Sequence, residues 1–326
     1  MTILVILLLF PDPRRPRTSL TWSQRLLRLD PIGTLLFTPA VVALLLALQQ
    51  GGASRRWSSP PVISLFAGSA VLLLLFLSLQ RRLADDATVP PRVFLQRNVW
   101  SAGLFALFLG AAFILSTYFL PLWFQAVRGS TAVDSGLCNL PLLIAVVVVS
   151  LVAGALVTLW GHYAPFMLLS TLLMSIGYGL LSTIGPKSSP AAWVGFQVLA
   201  GAGVGLGLQQ PLMAVQAVLP LRDVPTGTAI VVFLQTLGGA VSVSVGQAVF
   251  SNTVVEAAEG MPGVDGSALE VGAGLVGEVS AEMVGVYNQG ITRAFWVCAF
   301  AAAMTVFGSG FVGWRSVKRT KATSAA

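Results

Sequence analysis

Long apolar segments separated by short polar stretches are the feature that most constrains how this chain can fold. Eight of them are long enough to cross a bilayer: residues 30–50, 62–79, 98–124, 135–160, 166–184, 191–219, 225–250 and 294–314. A spanning helix needs about 20 apolar residues, and only helices and closed barrels satisfy every backbone hydrogen bond in a membrane. The pattern therefore predicts an all-α integral membrane protein with about eight transmembrane helices.

The composition excludes a soluble fold and gives no support to an enzyme. Only 10% of the residues are charged, whereas soluble domains carry roughly 25%. The net charge of +7 does not indicate nucleic-acid binding, because the basic residues form short clusters between apolar segments. Cys138 and Cys298 are predicted to be packing residues, and His162 is the single histidine, so we expect no metal site and no cofactor. A nucleotide-binding loop and a nucleophile–base pair are both missing from the sequence.

The distribution of basic residues predicts the orientation. If the basic linker over residues 11–29 lies in the cytoplasm and the sides alternate, 14 of the 19 Lys and Arg residues are cytoplasmic. This asymmetry is the one that the positive-inside rule describes. It makes the acidic, glycine-rich stretch 251–292 an extracellular loop and the basic tail 315–326 cytoplasmic.

The N-terminus carries an apolar run that is too short to span. Residues 3–10 precede the basic linker, and about ten residues cannot cross a hydrocarbon core of about 30 Å. We expect this run to be the second half of a spanning helix whose first half is not in the sequence. Residues 1–29 would then be a half-span with its cytoplasmic linker.

The sixth span is unusually rich in glycine. It contains two interleaved pairs of glycines four residues apart, Gly201 with Gly205 and Gly203 with Gly207. At 100° per residue the two pairs fall on opposite faces of a helix. Glycines let membrane helices approach closely, so the pattern favours either tight packing alone or a helix that slides against two neighbours. Gln209 and Gln216 lie near the first face and Gln210 lies near the second.

Polar side chains in the sixth and seventh spans are the candidates for a substrate path. Thr228, Gln235 and Ser242 recur every seven residues, with Gly239 and Gly246 on nearly the same side. This stripe either lines a cavity or hydrogen-bonds to a neighbouring helix. The substrate-path candidates are Gln209, Gln210, Gln216, Gln235 and Ser242, and the helix-packing candidates are Gly201, Gly203, Gly205, Gly207 and Gly239.

Charged residues inside the spans would be stronger indications of function, but the sequence offers none. The charges nearest to the spans, Asp30, Asp134, Arg222 and Asp223, all lie at predicted helix ends. No proton relay and no charged counter-ion for a substrate is therefore evident. Pro141 in the fourth span and Pro211 in the sixth can kink their helices where a path opens.

Five segments, taken as a set, resemble a known family. They are LDPIGTLLFTPAVVALLLALQQGG, RNVW, STYFLPLWFQAVRGSTAVDSGLCNLP, VAGALVTLWGHYAPFM and GAGVGLGLQQPLMAVQAVLPLRDVPTGTAIVVFLQTLGGAVSVSVGQAVFSN. In this order they resemble fungal exporters of the major facilitator superfamily. The resemblance is to the fourteen-span drug:proton antiporter branch, which includes toxin and secondary-metabolite efflux pumps.

This resemblance implies both an architecture and an activity. It assigns residues 30–97 to the two extra central helices of that branch and residues 98–314 to its C-terminal six-helix half. It implies proton-coupled efflux of a secondary metabolite, toxin or drug-like compound across the plasma membrane or, alternatively, the vacuolar membrane. The first five helices of the family's N-terminal six-helix bundle, and half of the sixth, have no counterpart in this sequence. The turn at residues 161–163 lacks the arginine that many relatives carry there.

Two functions are therefore expected as alternatives. The first is a transporter whose partners are the lipid bilayer, a small organic substrate and protons. The second is a non-transporting membrane protein: a truncated gene model, a remnant, or a fragment that needs another chain. A single six-helix half has no opposing wall, so transport would require a dimer or a partner chain.

Overall fold

The computed structural model describes residues 30–51, 57–84, 87, 89–259 and 281–315. The regular elements in these ranges are eleven helices. They are α1 (Pro31–Gln50), α2 (Pro60–Leu83), α3 (Pro91–Phe94), α4 (Arg97–Ala126), α5 (Ala132–Cys138), α6 (Leu140–Trp160), α7 (Ala164–Leu181), α8 (Pro190–Gly207), α9 (Gln210–Val218), α10 (Val224–Glu259) and α11 (Ala281–Phe311).

Eight helical segments in the described ranges are long and apolar enough to cross a membrane. Two of these segments consist of two helices each, α5 with α6 and α8 with α9. The all-α membrane fold and the number of spans predicted from the sequence are thereby confirmed. The predicted half-span over residues 3–10 lies outside the described residues, as does most of the basic tail.

Helices α1 and α2 form a pair at the side of the other helices. Within the pair, the Ser69 hydroxyl donates a hydrogen bond of 2.8 Å to the carbonyl of Ala40. Against the remaining helices, α1 packs on α10, where the rings of Phe37 and Phe233 are 5.2 Å apart. Only 17% of the most apolar stretch of each helix is buried, so both helices expose most of their surface.

Helix α4 is the central element of the remaining bundle. Its most apolar stretch is 61% buried, compared with at most 44% in the other spanning segments. It packs against α10 and α11 along its length and against α9 near its start. Glycines make these contacts close. A Cβ atom on Gly238 of α10 would collide with the carbonyl of Leu107, and one on Gly308 of α11 would collide with the backbone of Phe105.

Helix α8 lies between α6 and α7. A Cβ on Gly201 or Gly205 would collide with backbone carbonyls of α6, at Leu142 and Val146. A Cβ on Gly203 would collide with the backbone at Met174 on α7. The two faces of the span thus contact two different neighbours at backbone distance, which is the arrangement that small residues permit between membrane helices.

The structure differs from the sequence-based boundaries in three places. The sixth span, expected to be continuous from residue 191 to 219, is interrupted at residues 208–209, and the fourth is interrupted at Asn139. Helix α10 continues to Glu259 and α11 begins at Ala281, so both extend into the stretch predicted as the loop 251–292. Helix continues there because residues such as Val254 and Tyr287 still bury their side chains.

Candidate functional site

The proline at position 211 accounts for the interruption of the sixth span. Helix α8 ends at Gly207 and α9 begins at Gln210, with Pro211 in its first turn. Proline has no backbone N–H, so the carbonyl of Gly207 cannot receive the helical hydrogen bond from four residues later, and the proline ring crowds that carbonyl. The span therefore breaks where Pro211 indicates a kink.

The two parts of this span belong to different parts of the bundle. Helix α8 packs between α6 and α7, whereas α9 packs against α4 and α10. Gly207 lies at the junction, where a Cβ atom would collide with the Ser170 hydroxyl of α7 and with Leu109 of α4. The break is thus the point at which the span passes from one set of neighbours to another.

The three glutamines at and after the break lie in different environments. Gln209 and Gln216 are exposed, whereas the side chain of Gln210 is completely buried. This separation of Gln210 from Gln209 and Gln216 agrees with the opposite faces predicted from the sequence, because Leu208 and Gln209 keep right-handed helical backbone angles. The structure brings Gln209 and Gln216 to the surface of the same short helical segment.

The part of the stripe from Gln235 to Gly246 on the seventh span lies against α4. The Ser242 hydroxyl donates to the carbonyl of Ala111 at 2.9 Å, and Gly239 lies against the side chain of Ile114. Gln235, which is half-buried, lies with its backbone against Gly110. Of the two interpretations that the sequence leaves open, the hydrogen bond to a neighbouring helix describes Ser242.

One buried polar residue of the sixth span escaped the sequence analysis. Gln197 on α8 is 0% exposed, and neither its Oε1 nor its Nε2 has a hydrogen-bond partner among the described residues. It lies four residues before Gly201, on the face that is covered by neighbouring helices. A glutamine inside an apolar run is visible in the sequence, but its burial without a partner is not.

A hydrogen-bonded cluster joins three helix ends on the predicted cytoplasmic side. The hydroxyl of Tyr163, in the turn before α7, donates to the carbonyl of Gly313 at 2.6 Å and accepts from Nδ2 of Asn98 at 2.8 Å. The backbone N–H of Gly313 donates to Oδ1 of Asn98 at 2.9 Å. Burial raises the pKa of Tyr163 above its usual value, so the hydroxyl keeps its proton at neutral pH. The sequence analysis singled out this turn only for its missing arginine.

A second connection on the same side uses charge. Arg92 on α3 donates to both carboxylate oxygens of Asp223, at 2.8 and 3.2 Å. Hydrogen bonding from Arg92 holds the pKa of Asp223 below its usual value, with a smaller contribution from Arg222. This pair ties the segment before α4 to the turn between α9 and α10.

Acidic side chains are scarce in the spans. Among the described side chains of the eight segments, Asp and Glu occur at Asp134 and Glu256, and both are exposed near a segment end. Arg293 on α11 donates to the Thr253 hydroxyl at 3.0 Å and lies 3.6 Å from the Glu256 carboxylate. In the part of the chain that the structure describes, no group of three His, Cys, Asp or Glu could hold a metal ion.

The sequence has close relatives among fungal membrane proteins. It is 44% identical over 334 residues to the MFS-type efflux pump MFS1 of Arthroderma benhamiae, covering 100% of this chain and 62% of that protein. It is 44% identical to efflux pump roqT of Penicillium rubens and 42% identical to the Aspyridones efflux protein of Neocamarosporium betae. Those matches cover 99% of this chain and 61% and 59% of the relatives. The chain is homologous to fungal MFS-type efflux pumps.

As an MFS-type homologue, the chain is a multi-pass membrane protein. It spans about three fifths of the length of the curated relatives it matches, which fits a C-terminal portion. The resemblance recognised in the five sequence segments is thereby confirmed. No protein-family model matches the chain. The relatives are efflux transporters, which are not enzymes.

Proposed function

We propose that this protein takes part in the export of a small, amphipathic organic molecule from the fungal cell, driven by proton entry. The proposal rests on the similarity of the whole chain to efflux pumps, with which it shares 44% and 42% of its residues. One of those relatives is named for the aspyridones and the others as efflux pumps without a cargo. A product of fungal secondary metabolism is therefore the substrate class that we propose.

The exposed face of α9 supports this proposal from the structure. Gln209 and Gln216 are uncharged, exposed and seven residues apart, and they belong to the part of the sixth span that packs on the central helix α4. Amide groups can bind carbonyls and hydroxyls of a neutral molecule without the cost of burying a charge. We propose that these two side chains, with Gln235, form one wall of the substrate path.

The opposing wall would come from a second six-helix half. Major facilitator proteins bind substrate between two halves, near the middle of the membrane. Here the second half would be another segment of the polypeptide, a second copy or a partner chain. The plasma membrane is the proposed location, since export from the cell requires it, and a fluorescent fusion at the vacuolar membrane would contradict that location.

The proposal is tested by dye or metabolite efflux from yeast cells that produce the chain. In these cells a second copy of the chain would supply the opposing wall, so we expect efflux above that of cells with an empty vector. We expect a lower initial rate when Gln209 and Gln216 are both changed to Ala. Loss of one or two amide contacts of about 0.5–1.5 kcal/mol each predicts a reduction of roughly 2- to 150-fold.

Thr158→Val is the matched control, because that exposed hydroxyl on α6 donates only within its own helix, to Gly154 at 2.8 Å. We expect this variant to transport like the original chain. Absence of efflux, with the chain present in the membrane at normal amounts, would favour the non-transporting alternative. Equal rates for the double variant and the control would refute the assignment of the two glutamines.

A further inference from the structure

The side-chain amide of Gln210 is buried without a hydrogen-bond partner among the described residues. Gln210 lies at the first position of α9, directly after the break, and its side chain is 0% exposed. Neither Oε1 nor Nε2 has a hydrogen-bond partner among the described residues. Buried amides are nearly always hydrogen-bonded, so an amide without partners destabilises the conformation that contains it.

The position of Gln210 differs from that of an ordinary buried polar residue. Helix α9 packs on α4 and α10, and its connection to α8 lacks the helical bond that Pro211 would have supplied. A helix that has lost a backbone bond at its junction can change its angle there without breaking the rest of the span. Gln210 therefore lies where a movement of α9 relative to α8 would have its pivot.

Gln197 provides the internal comparison. Its side chain is equally buried and equally without partners. It lies inside the continuous helix α8, which is held at backbone distance by Gly201 on one face and Gly203 on the other. Close backbone contact on both sides leaves α8 little room to move. Both glutamines therefore destabilise the conformation that buries them, but only Gln210 lies on a helix segment that can move.

We propose that Gln210 is a positioning residue for transport, whose amide obtains hydrogen bonds only when α9 moves away from α4 and opens the break to water and to polar groups of the substrate. In the closed arrangement the unpaired amide raises the free energy of that state and so favours opening. An energy difference of this kind is what a two-state protein needs in order to populate its second conformation. The proposal rests on the transport function proposed above.

Cysteine labelling tests the movement without any need for transport. The chain for this test keeps Gln210 and carries Cys138→Ala and Cys298→Ala. Ala214→Cys on α9 and Ala200→Cys on α8, both at positions that are 0% exposed, are compared in native membranes with N-ethylmaleimide, which requires water at the thiol. We expect position 214 to react at least about tenfold faster than position 200, a difference of about 1.4 kcal/mol in opening. After denaturation in detergent both should react equally. Equal rates in native membranes, whether slow or fast, would overturn the proposal.

Methionine variants test the energetic part. Gln210→Met and Gln197→Met both replace an unpaired amide by an apolar chain of similar length, so each should raise the Tm of the purified chain by a few degrees. Only Gln210→Met should also slow efflux, by fivefold or more, because it removes the drive toward opening. Efflux by Gln210→Met at the original rate would overturn the proposal. If the original chain itself exports nothing, the transport function fails, and the labelling rates alone decide whether α9 moves.

Discussion

Removal of one hydroxyl group tests the cluster that joins the helix ends on the predicted cytoplasmic side. Tyr163→Phe deletes a group that donates to the carbonyl of Gly313 at 2.6 Å and accepts from Asn98 at 2.8 Å. These two bonds connect the turn before α7 with the start of α4 and the segment after α11. The change keeps the ring, which is 0% exposed, in its packed position.

The expected loss of stability follows from the bonds that remain. A hydrogen bond contributes about 0.5–1.5 kcal/mol net, so two lost bonds cost about 1–3 kcal/mol. Asn98 keeps its bond from the N–H of Gly313 at 2.9 Å, and its Nδ2 stays 3.4 Å from the Gly313 carbonyl. The penalty for an unpaired buried amide is therefore limited, and we expect a value inside that range rather than above it.

Thermal unfolding of the purified chain in detergent measures the effect, with Tyr118→Phe as the control. Tyr118 lies on α4 and is 51% exposed, so its hydroxyl should contribute little. A double-mutant cycle with Asn98→Ala should give a coupling energy of at least about 0.5 kcal/mol, because the two side chains are in direct contact. Additive effects of the two changes, or a Tyr163→Phe variant as stable as the control, would refute the proposed cluster. The raised pKa of Tyr163 predicts the same result at pH 6 and pH 8.

Two further predictions concern packing and charge. Gly201→Ala should lower stability by about 1–3 kcal/mol, because its Cβ meets the backbone of α6. Gly195→Ala, on the same helix with open space around it, should be neutral or stabilising. Thermal unfolding measures both variants, and equal stabilities would contradict this prediction. Asp223→Asn should lower stability at pH 7, where the carboxylate is ionised. Because the folded pKa of Asp223 is below the usual value, the stabilisation is present above that usual value and is lost as the pH falls through the folded pKa. The difference between Asp223→Asn and the original chain should therefore shrink below about pH 4, and an undiminished difference there would contradict the assignment.

The glycines of the sixth span show what the helical period predicts about packing and what it does not. A period of 3.6 residues places Gly201 and Gly203 on different faces, and they do contact different helices, α6 and α7. The same period separates the buried Gln210 from the exposed Gln209 and Gln216, because Leu208 and Gln209 keep right-handed helical backbone angles. It does not show that the part of the span after Gly207 packs on α4 and α10 rather than on α6.

The candidate residues show the same division. That Gln197, Gln209, Gln210 and Gln216 lie in one span is evident from the sequence. Which of them are exposed and which are buried without a partner depends on what α4, α6 and α7 place beside them. Those neighbours come from distant parts of the chain, so no local pattern reports them.

The sequence by itself determined the membrane fold, because eight apolar segments of sufficient length leave the backbone no other way to satisfy its hydrogen bonds. The tertiary structure alone decided which polar groups meet. Asn98 and Tyr163 are 65 residues apart in sequence, and Arg92 and Asp223 are 131 apart. Helix formation depends on bonds within four residues, whereas these contacts depend on how whole helices pack, and side chains on many helices fix that packing together.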